Sequence, residues 1–193
     1  MNIGIFSGSF NPIHNGHTQL AEYIRKQCQL DEVWLMVTPN NPLKTKSELW
    51  DENIRLELAD IATKDFPFLK VSDFEFHLPR PSYTVDTLRQ LNSQYPQHRF
   101  SLIIGSDNLT IFHKWKEYEY ILQHYHIIVY PRQGDNIQAL RKQYPQITIL
   151  DNCPLLPISS TIIRQHLQAG LPIDEYVNEE VARRINNELC KLN

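Results

Sequence analysis

Glycine is scarce in this chain, with six among 193 residues. Neither common glycine signature for nucleotide phosphates, GxGxxG or GxxxxGK[ST], follows its first apolar strand. Cysteine is scarcer still: Cys28, Cys153 and Cys190 are odd in number, far apart and without a CxxC pair. That argues against a disulfide framework and reads as reduced thiols in a cytoplasmic protein. No GxSxG, no cysteine in a nucleophile motif and no paired carboxylates at recognisable spacing occur, so a covalent nucleophile is not expected. The formal charge is −3, without the basic excess of a nucleic-acid binder. No apolar run approaches the roughly 20 residues that span a bilayer. The first residues show neither the basic nor the apolar region of a secretory leader, so none is expected. Internal repeats, low-complexity tracts and a linker-like composition break are absent too. One domain over 1–193 is therefore expected, its 41% hydrophobic residues enough for a full core.

What is present is an alternation of short apolar runs with amphipathic ones. Runs rich in Ile, Val and Phe predict strands over 2–7, 32–38, 69–72, 99–104, 126–130 and 147–150. Apolar spacing of three to four residues predicts helices over 17–27, 51–63, about 84–93, 118–123 and 137–143, then 159–168 and 179–189. Leu20, Ala21, Ile24 and Cys28 share one face of the first helix, and Asp51 is placed to cap the second. The expected fold is a doubly wound, Rossmann-like α/β domain around a parallel sheet, with a small C-terminal helical piece at about 159–193. Ligands of such sheets bind beyond the carboxyl ends of the strands. Unusual polar residues gather there: His14 and His17 after the first strand, Lys44 after the second, Gly105-Ser106-Asp107 after the fourth. Arg132 follows the fifth, and Ser159 to Arg164 follow the last.

The densest group is GSFNPIHNGH, residues 8–17, which leads from strand to glycine to polar loop to helix start. Unpaired N–H groups and the helix dipole make such a start an anion site. His14 and His17, three apart, admit three readings: donors to phosphate, capping or surface histidines, and a metal pair. The last lacks a nearby cysteine or an HExxH glutamate. Gly8 and Gly16 either let a ligand approach the backbone or supply turns of positive φ. Ser9 and Phe10 supply loop backbone and packing, and Asn11-Pro12 sets the turn.

Ser159, Ser160 and Thr161 open a helix, as caps or as hydroxyls facing a phosphate. Arg164 follows one turn later with a planar fork suited to that anion. Lys44 offers the same anion a mobile charge, or is a solvated loop lysine like Lys46. Asp107 is either an acceptor from a ribose hydroxyl or a helix cap. Trp115 is either a stacking platform for a planar ring or a core anchor. Across Ser82 to Thr87 capping is the simpler role, and His113, His124 and His126 read as surface or edge residues. The expected site holds phosphates.

These motifs resemble the nucleotidylyltransferases, whose signature joins a strand, a Gly-x-Phe-x-Pro-x-His-x-Gly-His loop and a late ISSTxIR turn. Gly8 to His17 and Ile158 to Arg164 match both without a gap. Pro81 to Leu88, with Gly105-Ser106-Asp107 and Trp115, is similar to one branch, the bacterial nicotinate mononucleotide adenylyltransferases; the resemblance covers nearly the whole chain. It implies adenylyl transfer from ATP to nicotinate mononucleotide in NAD synthesis, with Mg²⁺ held mainly by substrate phosphates. It places His14, His17, Lys44 and Arg164 on the transfer chemistry. Gly8, Ser9, Phe10, Gly16, Gly105, Asp107, Ser159, Ser160 and Thr161 would bind ATP; Thr84 and Trp115 would bind the mononucleotide. Two positions depart from the pattern: Leu43, often histidine, and Lys116, often aromatic. A nicotinamide or phosphopantetheine substrate, and a nucleotide sensor without turnover, are the rival readings; oligomeric state is not legible.

Overall fold

The computed structural model describes residues 1–39, 49–151, 153–154 and 157–192, and the side chains up to residue 187 within the last helix. Leu43, Lys44, Lys46 and most of the 40–50 loop lie outside the described residues, as does the Cys190 side chain. Six strands form one parallel sheet: β1 (Asn2–Gly8), β2 (Glu32–Val37), β3 (Leu69–Ser72), β4 (Arg99–Gly105), β5 (His126–Tyr130) and β6 (Thr148–Ile149). Their order, β3-β2-β1-β4-β5-β6, is that of a doubly wound sheet, and it reverses between β1 and β4.

Among the described residues eight α-helices flank the sheet: α1 (Asn15–Gln27), α2 (Glu52–Thr63), α3 (Thr84–Gln94), α4 (Ser106–Thr110), α5 (Tyr118–His124), α6 (Ile137–Gln143), α7 (Ser160–Gln168) and α8 (Glu179–Leu192). Central strands buried on both faces read as continuous apolar runs because each alternate side chain meets a different layer. Phe6, Leu35, Ile103 and Ile128 pack with Ala21 and Ile24 of α1, Leu58 of α2, Ile163 of α7 and Val181 of α8. Ile5, Leu102, Ile104, Ile127 and Val129 pack on the other face with Leu88 of α3, Leu109 of α4, Ile121 of α5 and Leu140 of α6. The two cores are thus separated by the sheet. No helix among the described residues is long and apolar enough to cross a membrane.

The expected elements form, with shifted ends. α1 begins at Asn15, with His14 at the cap position, two residues before the expected start. Ser159 caps α7 from outside it, its side chain accepting from the Ile162 N–H at 3.2 Å. Asp51 caps α2 as expected, accepting from the Asn53 N–H at 2.9 Å. β2 ends at Val37 and β6 is only Thr148–Ile149, each shorter than its apolar run. Three short pieces carry no readable period: the 3-10 turns Phe74–His77 and Phe112–Lys114, and α4.

One residue couples α2 to the rest of the site. Arg55 is fully buried, and its guanidinium donates to four backbone carbonyls: Ser9 at 2.6 Å, Thr38 at 2.8 Å, Trp50 at 2.9 Å and Pro39 at 3.1 Å. Burial pulls its pKa down and the nearby Glu52 and Asp51 carboxylates push it back up. A buried carbonyl left without a donor costs about 1–3 kcal/mol. Arg55→Met is therefore expected to lower stability by about 3 kcal/mol or more, read as a reduced urea midpoint at unchanged slope. An unchanged midpoint would show that these bonds carry no net stability.

Candidate active site

A cleft of about 860 Å³ opens beyond the carboxyl ends of β1 and β4. It lies where the strand order reverses, the place such sheets bind ligands. Every site residue expected from the sequence lines it except Lys44, which lies outside the described residues. The fourteen others come from the end of β1, the β1–α1 loop and the start of α1, the start of α3, the end of β4 and the start of α4, the segment before α5, and α7 with its cap.

The β1–α1 loop is held by its carbonyl groups. Besides the Arg55 bond to Ser9, Arg164 donates to the Asn11 carbonyl at 2.9 Å, and Ser160 Oγ to the Pro12 carbonyl at 2.9 Å. The Asn11 side chain accepts from the Trp50 N–H at 3.0 Å. Positive φ falls on Phe10 (43°), and neither Gly8 nor Gly16 has it, so the turn reading of those glycines is corrected. Their role is steric. A Cβ on Gly8 would stand 3.0 Å from the Phe10 ring, and one on Gly16 would stand 2.9 Å from His14 Nδ1. Both glycines make room for the side chains that shape the loop.

His14 and His17 form one unit. Their rings stack with centroids 3.7 Å apart and planes 27° from parallel, and Phe10 meets His17 edge-on at 5.0 Å. The His14 N–H donates to His17 Nδ1 at 3.2 Å. Nδ1 of neutral His17 is therefore the acceptor, and its ring proton sits on Nε2. His14 is buried, and burial, reinforced by the positive charge of Arg132, holds its pKa down at about 4. It is a neutral imidazole at pH 7.

Among the described residues, four buried side-chain polar atoms lack a hydrogen-bond partner: Ser9 Oγ, His14 Nδ1, Trp115 Nε1 and Arg25 Nε. The first three belong to residues of this one cleft. Buried polar groups are normally satisfied, so three such atoms in residues of one cleft set it apart among the described residues.

The β4 end carries the third wall. Asp107 lies in the first turn of α4 with Gly105 at the cap position, so of its two readings the helix cap is excluded. Its carboxylate stands 3.7 Å from Arg132 Nε. A Cβ at Gly105 would collide with that same carboxylate. Ser106, fully buried, donates to Asp135 and accepts from the Arg132 N–H at 2.7 Å, which anchors the Arg132 backbone. Trp115 is half-buried on the Phe112 ring, 5.4 Å between centroids, so it both anchors and faces the cleft. Lys116 beside it pairs with Asp86 at 2.8 Å and lies 4.9 Å from the Tyr83 ring. Lys116, where the resemblance leads to an aromatic being expected, thus packs its ammonium on the Tyr83 ring.

Two cleft residues carry no sign of their role in the sequence, and Arg132 shows only its place after a strand. Asn11 has the sequence of a turn residue, yet both its carbonyl and its side chain tie the loop down. Glu75 is 4% exposed; burial pushes its carboxyl up to about 7 against the lowering effect of hydrogen bonds from Thr87 and Ser82. An isolated glutamate in a short apolar stretch gives no signal of this.

A profile of the cytidylyltransferase-like family matches residues 5–166. The chain belongs to that family. A protein of Bacteroides fragilis named a probable nicotinate-nucleotide adenylyltransferase is 48% identical over 182 residues, covering 94% of this chain and 90% of that one. One of Flavobacterium johnsoniae with the same name is 45% identical over 188 residues, covering 97% of each. The fold is also that of a Plasmodium falciparum nicotinic acid mononucleotide adenylyltransferase solved with NaAD, with a TM-score of 0.82 at 22% identity over 97% of this chain and 95% of that one. Within the family the chain groups with the nicotinate-nucleotide adenylyltransferases.

The two shifted groups of the cleft make a stability prediction. Native Glu75 keeps a proton that the unfolded chain has lost between pH 4.5 and about 7, so rising pH costs stability there. Native His14 refuses a proton that the unfolded chain takes between pH 6.5 and about 4, so falling pH costs stability there. Between pH 4.5 and 6.5 the slopes oppose. Glu75→Gln is expected to expose the acid-side loss and His14→Gln the alkaline-side loss in thermal melts across that range. Parallel profiles for both variants and the wild type would refute the assignment.

Proposed function

We propose that this protein transfers the adenylyl group of ATP to nicotinate mononucleotide, giving nicotinate adenine dinucleotide and pyrophosphate. The observation that carries this reading is the clustering of unsatisfied Ser9, His14 and Trp115 in one cleft at the β1/β4 switch point, in a chain 48% identical to a protein of that name.

The chemistry asks for alignment and charge neutralisation. An oxygen of the mononucleotide phosphate attacks the α-phosphorus of ATP, a new P–O bond forms, and the bond to the β-phosphate oxygen breaks as pyrophosphate leaves. The attacking phosphate is already anionic, so neither a base nor a covalent intermediate is needed. His14 and His17 face the ATP phosphates with Arg164, and Lys44 is assigned beside them. Arg132 adds a cation from the β5 end. His14, neutral at pH 7, acts by hydrogen bonding and leaves the formal charge to the arginines and lysine. Gly8, Ser9, Phe10, Gly16 and Ser159 to Thr161 shape the phosphate pocket, and Gly105 and Asp107 the nucleoside side. Thr84 and Trp115 receive the mononucleotide.

Mg²⁺ fits this donor set as a passenger of the triphosphate. Among the described residues no three His, Cys, Asp or Glu side chains converge into a metal cage, and the phosphate side of the cleft offers imidazoles and guanidinium groups. When bound, the ion would neutralise phosphate charge.

Pyrophosphate release from ATP should require nicotinate mononucleotide and be weak with the amide analogue or phosphopantetheine. No release with any of the three would sink the reading in favour of a nucleotide sensor. His17→Ala is expected to lower kcat by roughly 10²–10³, as loss of one transition-state donor does. Near-normal turnover would remove His17 from the mechanism. Trp115→Ala should raise KM for the mononucleotide about tenfold, within the ~1–3 kcal/mol of an aromatic–base stack, and leave KM for ATP unchanged.

A further inference from the structure

Glu75 sits in the 3-10 turn that follows β3, and its carboxyl is among the most deeply buried polar groups of the protein, at 4% exposure. It lines the cleft on the same side as Ser82, Thr84 and Trp115. Oε1 accepts from Thr87 Oγ at 3.0 Å and Oε2 from Ser82 Oγ at 3.4 Å. Ser82 precedes the Tyr83 cap of α3, and Thr87 lies in its first turn, where its hydroxyl also reaches the Tyr83 carbonyl at 3.3 Å. One carboxyl thus grips both ends of the segment that presents Thr84.

The helix itself does not need this grip. α3 is already fixed to the sheet by Val85, Leu88 and Leu91, all fully buried. A carboxyl taken from water into such a place is costly, and an apolar residue of similar size would anchor a helix at lower cost. What the two hydroxyl contacts add is the position of the turn ahead of the helix, whose open side is the cleft. The neighbouring charges are satisfied elsewhere: Asp86 pairs with Lys116, His77 with Asp73 and Arg80 with Glu52. None of them is a hydrogen-bond partner of Glu75 among its contacts with Ser82 and Thr87.

We propose that Glu75 is a positioning residue for the mononucleotide half of the site, fixing the Ser82–Thr87 turn so that Thr84 stands opposite Trp115. The assignment rests on the reading that the pyridine mononucleotide binds between Thr84 and Trp115. Glu75 touches no reacting atom; it acts through Ser82 and Thr87. Its loss should therefore weaken mononucleotide binding and spare the ATP side, which other elements hold.

The test is a set of variants assayed for both KM values, kcat and thermal midpoint. Glu75→Leu removes both acceptors at similar volume and is expected to raise KM for nicotinate mononucleotide about tenfold, the order of one or two lost hydrogen bonds. KM for ATP and kcat should stay within about twofold of wild type. Glu75→Gln, which keeps an acceptor oxygen, should recover most of the loss. Thr87→Val cuts the same link from the other end and stands in if Glu75→Leu does not fold; Thr87→Ser should restore binding. The double variant Glu75→Leu/Thr87→Val should be no worse than the poorer single one. Unchanged mononucleotide KM in a turning-over enzyme overturns the assignment of Glu75 alone, as does an equal rise in both KM values. A wild-type enzyme that releases no pyrophosphate with nicotinate mononucleotide overturns the site reading beneath it, and the assignment with it.

Discussion

The β1–α1 loop is pinned from outside by its own carbonyl oxygens, and the rest of the site follows from that. Arg55 of α2 holds Ser9, Arg164 of α7 holds Asn11, and Ser160 of α7 holds Pro12. A carbonyl committed to a donor in the protein cannot turn its oxygen toward a ligand. The loop therefore meets an anion with its N–H groups, its imidazoles and the start of α1, not with negative dipole ends. The pinning elements lie far apart in sequence: Arg55 and Arg164 meet the loop across 46 and 153 positions. The loop is held in this shape only once both helices have docked.

The electrostatics are local in the same sense. The chain carries a net charge of −3, yet the cleft proposed for an anionic substrate gathers cationic side chains. They are placed singly, Arg132 after β5 and Arg164 in α7, each tied to a neutral or anionic partner: Arg132 to Asp107 and Tyr130, Arg164 to the Asn11 carbonyl. His14 is kept neutral by burial and by Arg132, which spares the stacked His14–His17 pair a buried positive charge. A preorganised set of this kind needs no reorganisation as charge moves onto the departing pyrophosphate.

The sheet and its flanking helices were legible because they obey simple periods. β1, β4 and β5 are buried on both faces, so their apolar runs are unbroken, and Val85, Leu88 and Leu91 of α3 recur at helical spacing. The short pieces Phe74–His77, Ser106–Thr110 and Phe112–Lys114 were not legible, since one turn or less gives no period and only tertiary contacts hold it. In the site, residues with unusual chemistry at a strand end could be seen: His14, His17, Asp107, Trp115 and Arg164. Their supports could not. Arg55 carries no signal in the sequence, and its burial depends on where the carbonyls of Ser9, Thr38, Pro39 and Trp50 come together. The glycines misled for a related reason: Gly8 and Gly16 are required by the ring of a neighbour, which no local rule for φ reveals.

The two substrate halves are braced from opposite faces of the sheet. Arg55, Ser160 and Arg164, which hold the phosphate loop, belong to helices whose apolar sides pack in the core shared by α1, α2, α7 and α8. Glu75, Thr87 and Phe112, which stand behind Thr84 and Trp115, adjoin the core of α3 to α6. Between them runs the sheet, whose close-packed interior resists independent shifts. On the proposed reading, a change in the wall assigned to the pyridine can alter which mononucleotide is accepted without loosening the loop assigned to the triphosphate. The departure at Lys116 is of that kind. It lies with its partners Asp86 and Tyr83 wholly on the α3 side, so a site with a new wall can keep the old machinery for phosphate transfer.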